Sequence, residues 1–437
     1  MRKLEGRAVI CLLLILAMLA GLIFFIVRLE TNGSDWASYY ANSHIFKNGN
    51  LNAGKVTDRD GDVLLKYSDR GPVYSDSETE RRACSHLTGD LNFNITTGAN
   101  IAFRSRLIGY NFVTGTDGIL GRRGGTVELS IDKDLNTAAY NALGNYNGFV
   151  CVYNYKTGDI VCLVSTPTVD PADPDASATA ESGAYINKVI SGKFTPGSTF
   201  KVLTAAAAIE NLDDLDDWTF TCNGSHDLGG SLITCPKVHG TMDFHGALAN
   251  SCNCAFGQLA NDLGKKTMKK YVKKMGLTSS YDINGIKTAE GTFNFDADPI
   301  DLGWAGIGQF EDEANPMSML VFMGSIAGGG TTAEPGLLKG ESAGSTRLMD
   351  SSTADKLDSM LRDDVLDNYG DDNFPGLELR AKSGSAETGD GRNTHAWFYG
   401  YTGDYAFVVM AENGGAGATV AGPIANTVLQ ELMKEKD

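Results

Sequence analysis

Positive charge is in short supply: 37 lysines and arginines stand against 54 aspartates and glutamates, a formal net charge of −17. A sequence-independent grip on nucleic acid needs a positive surface, so that class of partner is excluded, and the acidity reads as solubility. Also missing is any C-x-x-C pair, the commonest spacing in zinc-binding loops. Eight cysteines are present all the same: Cys11, Cys84, Cys151, Cys162, Cys222, Cys235, Cys252 and Cys254. Cys222 and Cys235 bracket the loop NGSHDLGGSLIT and form the one disulfide candidate. Zinc binding, with His226 and His239 close by, is the competing and weaker reading. Cys151 and Cys162 fall in adjacent apolar strands and read as buried thiols. Neither a metal nor a cofactor is expected. Internal repeats and low-complexity tracts are lacking as well, apart from the glycines at 328–330.

What is present begins with length and texture. The 437 residues, 42% hydrophobic and 21% charged, suffice for two or three domains and a large core. Ala8 to Val27 are twenty uncharged, mostly apolar residues, enough to cross a bilayer as one helix. Arg2, Lys3 and Arg7 precede this run, with Glu5 the one nearby acid, so the N-terminus is expected in the cytoplasm and everything after Arg28 outside. The run exceeds a usual signal-peptide core and no small-x-small cleavage site follows it, which favours an uncleaved anchor over residues 1–30.

Residues 31–125 are polar, with repeated Asn, Asp and Gly, but apolar residues recur throughout, so a small extracytoplasmic domain is expected and not a disordered linker. Asp60-Gly61 marks a turn between two short strands there, and a glycine-rich stretch closes at Arg122-Arg123-Gly124-Gly125. From Thr126 the texture changes. Thr126 to Ile131 alternates as a strand, and Asp132 is placed to cap a helix through Ala138 and Leu143. Two apolar runs, Gly148 to Tyr155 and Ile160 to Val164, meet at Lys156-Thr157-Gly158-Asp159 as a hairpin. Three more strands are expected over Glu378 to Ala386, Thr394 to Tyr401 and Tyr405 to Glu412, then a helix from Ala421 to Lys436 that ends the chain without an appended module. Helix-rich sequence fills Ser198 to about Ala327. Five antiparallel strands drawn from both ends, with a helical insert between, imply an α/β sandwich over 126–437.

Three short elements carry the chemistry: Ser198-Thr199-Phe200-Lys201, Ser251-Cys252-Asn253 and Lys382-Ser383-Gly384. The turn Thr195-Pro196-Gly197 puts Ser198 at a helix N-terminus, where unpaired N–H groups favour developing negative charge. Lys201, one turn on, shares its face and can take the serine proton if burial or nearby cations keep it neutral for part of the cycle. Alone, this pair would read as a helix cap beside a solvated lysine. The other two elements reverse that reading. Ser251 offers a second hydroxyl to relay protons, and the Asn253 amide can both donate to and accept from a substrate peptide group. Lys382 and the Ser383 hydroxyl are suited to a carboxylate, with Gly384 clearing space for an approaching substrate strand. The Ser385 and Ser198 N–H groups are placed to form an oxyanion hole.

Read together as S-x-x-K, S-x-N and K-[ST]-G, the chain resembles a class B, monofunctional transpeptidase, penicillin-binding protein. The likeness also takes in AGKVTDRDG at 53–61, Ser165-Thr166-Pro167, Asp170-Pro171, His239-Gly240, Gly306-Ile307-Gly308-Gln309 before Pro316, and His395-Ala396-Trp397-Phe398. The resemblance implies the penicillin-binding-protein and serine β-lactamase-like fold, a five-stranded antiparallel sheet with helices on both faces, behind a small pedestal and one membrane helix. It implies peptidoglycan stem peptides as substrates, β-lactams as inhibitors, and a membrane glycan polymerase as partner. Ser198 becomes the nucleophile and Lys201 the base, with Ser251 assisting; Asn253, Lys382, Ser383, Gly384 and Ser385 bind substrate. Ser383 and Ser385 stand where threonines are frequent, and both keep a hydroxyl. Glu311-Asp312-Glu313 is more acidic than the family's usual sequence, which points to an altered acceptor preference. A D,D-carboxypeptidase, a serine β-lactamase and an inactive wall-assembly scaffold are the alternatives. Fewer than a hundred residues separate anchor and catalytic unit, which excludes an added glycosyltransferase.

Overall fold

The computed structural model describes residues 2–39 and 54–434, apart from 69, 112, 116–123, 214, 297, 342, 343 and 390. Arg122 and Arg123, expected to close the glycine-rich stretch, and Lys436, the expected helix end, lie outside the described residues. The first helix, Arg2–Ser38, is long and apolar enough to cross a membrane. Its apolar side chains, Leu13, Phe24 and Phe25 among them, are exposed. At its far end Ser34 Oγ donates to the Ser105 carbonyl at 2.7 Å, docking the helix on the segment that follows.

Five antiparallel strands form the central sheet in the order Arg380–Ala386, His395–Thr402, Tyr405–Ala411, Gly148–Asn154 and Ile160–Thr166. This is the sheet expected from the two ends of the sequence. Strand alternation sends successive side chains to opposite faces, and each face meets its own helices. Val150, Val152, Phe398 and Val409 pack with Leu135 and Leu429 from the helices Lys133–Leu143 and Gly417–Lys434. Phe149, Tyr153, Trp397 and Tyr399 face the other way, into a core that includes the helices Lys201–Asn211 and Pro316–Ala327. The latter carries no charged residue and is buried all round. Asp132 caps its helix as expected, its Oδ1 accepting from the Leu135 N–H at 2.9 Å.

A second sheet has the order Gly71–Tyr74, Val63–Ser68, Lys55–Thr57 and Thr126–Glu128. Asp60-Gly61 does turn between two of these strands. Thr126–Glu128, placed by its pattern at the head of the larger unit, pairs in parallel with Lys55–Thr57 and so belongs to this N-terminal sheet. The two parts are further joined where Arg81 grips Asp170 through two hydrogen bonds of 2.8 and 2.7 Å. The helix-rich stretch expected from Ser198 to about Ala327 is interrupted by short strands over 219–243. Thr219–Cys222 pairs there with Gly240–Asp243, and Ser225–Leu228 with Ser231–Thr234. Glycines at 224, 229, 230 and 240 adopt positive φ and turn the chain between these short β-branched runs.

Candidate active site

Ser198 lies in a 3-10 turn, Gly197–Phe200, that runs directly into the helix Lys201–Asn211. Two aromatic side chains of the central sheet hold this turn from below. Trp397 Nε1 donates to the Thr195 carbonyl at 3.1 Å, and Tyr399 Oη donates to the Thr199 carbonyl at 2.8 Å. Gly308, from the Gly-Ile-Gly-Gln segment, supplies a third support: its carbonyl accepts from the Gly197 N–H at 2.8 Å. A Cβ on Gly308 would fall 2.4 Å from the Gly197 oxygen, so the approach needs glycine.

Lys201 is fully buried, and its ammonium nitrogen is the hub of the site. Nζ lies 2.9 Å from Ser198 Oγ, 3.1 Å from Ser251 Oγ, and 2.7 Å from both the Ser251 carbonyl and Asn253 Oδ1. Burial, reinforced by the like charge of Lys382, pushes its pKa down to about 7. An amine poised there can accept the Ser198 proton and return it at the same pH. Ser251 contributes both its hydroxyl and its carbonyl because its backbone is left-handed, φ 48°, between the helices Phe244–Ala249 and Asn253–Lys274. A non-glycine residue held in that region is strained, and such strain concentrates at functional sites.

The third motif departs from its expected roles in two ways. Gly384 does clear space, but for the protein's own backbone: a Cβ there would meet Thr199 Cγ2 at 2.9 Å and the Pro196 oxygen at 3.1 Å. The glycine lets the edge strand press against the nucleophile turn. Lys382, expected to bind a substrate carboxylate, is 1% exposed and already has one: Asp364 Oδ2, equally buried, at 3.3 Å. Burial alone would lower the Lys382 pKa, yet Asp364 and Tyr369 outweigh it and hold the ammonium above the usual lysine value. A charge taken this far from water needs such a partner.

Tyr369 completes that arrangement. Its Oη donates to Asp364 Oδ2 at 2.9 Å, accepts from the Ser383 N–H at 2.9 Å, and stands 3.0 Å from Ser383 Oγ and 3.4 Å from Lys382 Nζ. It sits in a π-helical turn, Val365–Tyr369, a feature common at functional sites. Neither Asp364 nor Tyr369 was visible from the sequence, because Arg-Asp-Asp-Val-Leu-Asp-Asn-Tyr matches no motif and reads as the end of a solvated helix.

The Ser383 N–H points out of the sheet edge, so alternation aims the Ser385 N–H the same way, toward the cleft. Ser385 Oγ accepts from the Gly417 N–H at 3.3 Å. Asn253, expected to face a substrate amide, is half engaged within the protein. Its Oδ1 accepts from Lys201 and its Nδ2 donates to the Thr234 carbonyl at 3.0 Å, leaving one N–H and one lone pair. Ser198, Ser251, Asn253, Ser383, Gly384 and Ser385 line one open cleft, whereas Lys201 and Lys382 are buried and reach it through their hydroxyl-bearing neighbours Ser198 and Ser383.

Glu311, Asp312 and Glu313, expected to influence an acceptor, stand apart from this cleft. Glu313 pairs with Lys193 at 2.7 Å, Glu311 accepts from Asn294 Nδ2 at 2.7 Å, and Asp312 is fully buried. The cysteine expectation also changes. All eight cysteines are unbonded, so Cys222 and Cys235 form no disulfide; with Cys252 and His239 they make one cluster beside the cleft. His226 is elsewhere, its Nε2 2.7 Å from Gln258 Oε1.

A family model of the penicillin-binding protein transpeptidase domain matches residues 148–430. Peptidoglycan D,D-transpeptidase PbpA of Mycobacterium tuberculosis is 29% identical over 374 residues, covering 74% of this chain and 75% of that one. Stage V sporulation protein D of Bacillus subtilis is 29% identical over 230 residues, 49% of this chain and 34% of that protein. Among solved structures, the imipenem acyl-enzyme complex of penicillin-binding protein A from M. tuberculosis superposes with a TM-score of 0.73 at 25% identity, covering 87% of this chain and 98% of that one. The sheet order, the lysine hub and these likenesses agree: the chain belongs to the penicillin-binding protein transpeptidase family.

Proposed function

We propose that this protein is a peptidoglycan D,D-transpeptidase in which Ser198 carries the acyl group and Lys201 manages its proton. The observation that carries the assignment of roles is the 2.9 Å approach of a buried, low-pKa Lys201 to Ser198 Oγ. Neutral Lys201 takes the hydroxyl proton as Ser198 Oγ attacks the penultimate D-alanine carbonyl of a stem peptide. Charge on the carbonyl oxygen is met by the N–H groups of Ser198 and Ser385. As the C–N bond breaks, Lys201, through the Ser251 hydroxyl 3.1 Å away, delivers a proton to the departing D-alanine amine. An amine from a second stem peptide then attacks the ester, loses its proton along the same route, and regenerates Ser198. A β-lactam enters the first half of this cycle, and its ring opens on Ser198.

The single apolar helix would anchor the chain, with the catalytic unit outside the cytoplasm. In this reading the first helix is the anchor, the pedestal runs on through the strand Thr126–Glu128, the catalytic unit follows it, and a membrane glycan polymerase supplies the strands to be joined. Labelling the full chain with a fluorescent penicillin tests the assignment. A stable adduct on Ser198, absent in Ser198→Ala, is expected, and with a stem-peptide donor plus an amine acceptor the product is the crosslinked amide. Release of free acid in place of the amide would indicate a carboxypeptidase. An adduct on another residue would remove Ser198 from its role.

A further inference from the structure

We infer that Lys237 and Glu387 read the diamino acid of the donor stem peptide, favouring a side chain with both an ammonium and a carboxylate over one with an ammonium alone, a preference that rests on the transpeptidase reading. Among the described residues that line the cleft around Ser198, these two are the only lysine, arginine or carboxylate side chains. Both are exposed, neither has a hydrogen-bond or ion-pair partner among the described residues, and they do not pair with each other. Two opposite charges that face one cleft without closing on each other suit a ligand that carries the complementary pair.

Strand geometry places Glu387. Along the edge strand Arg380–Ala386, Gly384 and Ala386 are buried while Ser385 and then Glu387 are exposed, so Glu387 continues the row that Ser385 opens to the cleft. Among the described residues no strand pairs with the outer side of this edge, and a donor peptide can add there as an antiparallel strand. With the scissile carbonyl on the Ser198 and Ser385 N–H groups and the terminal carboxylate toward Ser383, the peptide runs back past Ala386 and Glu387. The residue beside them is the one that precedes the penultimate D-alanine, which in stem peptides is a diamino acid. Its side-chain amine then comes within reach of the Glu387 carboxylate.

Lys237 reaches the cleft from the insert at 219–243. Its loop is fastened to Asn253, whose Nδ2 donates to the Thr234 carbonyl at 3.0 Å and whose backbone N–H donates to Cys235 Sγ at 3.1 Å. Pro236 then fixes a backbone torsion just before Lys237. Asn253 keeps one N–H for the carbonyl of the diamino acid, which holds that residue between the insert and the sheet edge, with Lys237 on one side and Glu387 on the other. A lysine side chain there would satisfy Glu387 and bring its own positive charge toward Lys237. The side chain of meso-diaminopimelate offers an ammonium to Glu387 and a carboxylate to Lys237, so attraction and repulsion both select it.

The test uses the full chain in detergent and synthetic donor pentapeptides that differ only in the diamino acid: meso-diaminopimelate, its side-chain carboxamide, its side-chain N-acetyl derivative, and L-lysine. D-Alanine release gives kcat/KM, and titration calorimetry with the Ser198→Ala chain gives the same ranking where turnover is slow. The unmodified diaminopimelate peptide should be preferred over each of the others by about fivefold, the worth of an exposed charged contact. Lys237→Met should cost the same factor without adding to the effect of the carboxamide, and Glu387→Gln should not add to that of acetylation, a pattern that a merely structural role would not produce. A parent chain that treats the four peptides alike, or losses that simply add, would overturn the proposal. Penicillin labelling of Ser198 in the same preparation reports on the acyl-enzyme separately: with labelling intact, such a result removes the side-chain preference alone, whereas a chain that takes no label loses the transpeptidase reading and this preference with it.

Discussion

The pH dependence of acylation is set by one amine. Lys201 has its pKa pushed down to about 7, first by burial and then by the charge on Lys382. Only the neutral fraction can take the Ser198 proton. With a midpoint near 7, that fraction is roughly one half at pH 7, about 3% at pH 5.5 and nearly complete at pH 8.5. The rate of fluorescent-penicillin acylation by the full chain should therefore fall about 16-fold from pH 7 to pH 5.5, rise only about twofold from pH 7 to pH 8.5, and then level off. An ordinary lysine, titrating near 10.4, would instead give a rise of about tenfold per pH unit across the whole range. Initial rates at fixed, subsaturating penicillin, measured from pH 5.5 to 9.5, separate the two cases. A rate that is flat with pH would refute Lys201 as the base, and one still climbing steeply above pH 9 would refute its lowered pKa. Lys201→Arg supplies the control, because guanidinium stays protonated throughout, and a loss of ~10²-fold or more is expected.

The same burial has a cost in stability, with a defined sign. Lys201 binds its proton less tightly folded than unfolded, so the penalty is full below about pH 7 and is relieved as pH rises toward the unfolded value. Lys201→Met should be inactive and yet unfold at a higher temperature than the parent at pH 6, by an amount reflecting a few kcal/mol, with the difference shrinking by pH 9. Tyr369→Phe keeps the ring but deletes the hydroxyl that links Asp364 to the Ser383 N–H. Acylation should slow by about tenfold, and leaving buried Asp364 and the Ser383 N–H short of a partner should cost ~1–3 kcal/mol of stability; an unchanged rate constant would count against a positioning role. Gly384→Ala places a methyl 2.9 Å from Thr199 Cγ2, and overpacking of ~1–3 kcal/mol should displace the nucleophile turn, seen as slower acylation in a chain that still folds.

Much of the site was legible in the residues themselves. Ser198 and Lys201 are one turn apart on a helix, so local geometry brings them together wherever that helix lies, and the order of the three motifs announced which chemistry they serve. The central strands were equally plain, since alternation and β-branched apolar runs are local signals, and so was the membrane-length helix. Tertiary packing decided the rest. No local signal says that a buried Lys382 will meet Asp364, that Gly384 will admit Pro196 and Thr199 in place of a substrate, or that Thr126–Glu128 will pair with Lys55–Thr57. The same holds for three cysteines and a histidine drawn together from four points along thirty residues of insert. Side-chain period and turn chemistry act over a few residues and can be read along the chain, whereas which charge neutralises which, and whose backbone fills a glycine's gap, depends on elements that become neighbours only when the chain has folded.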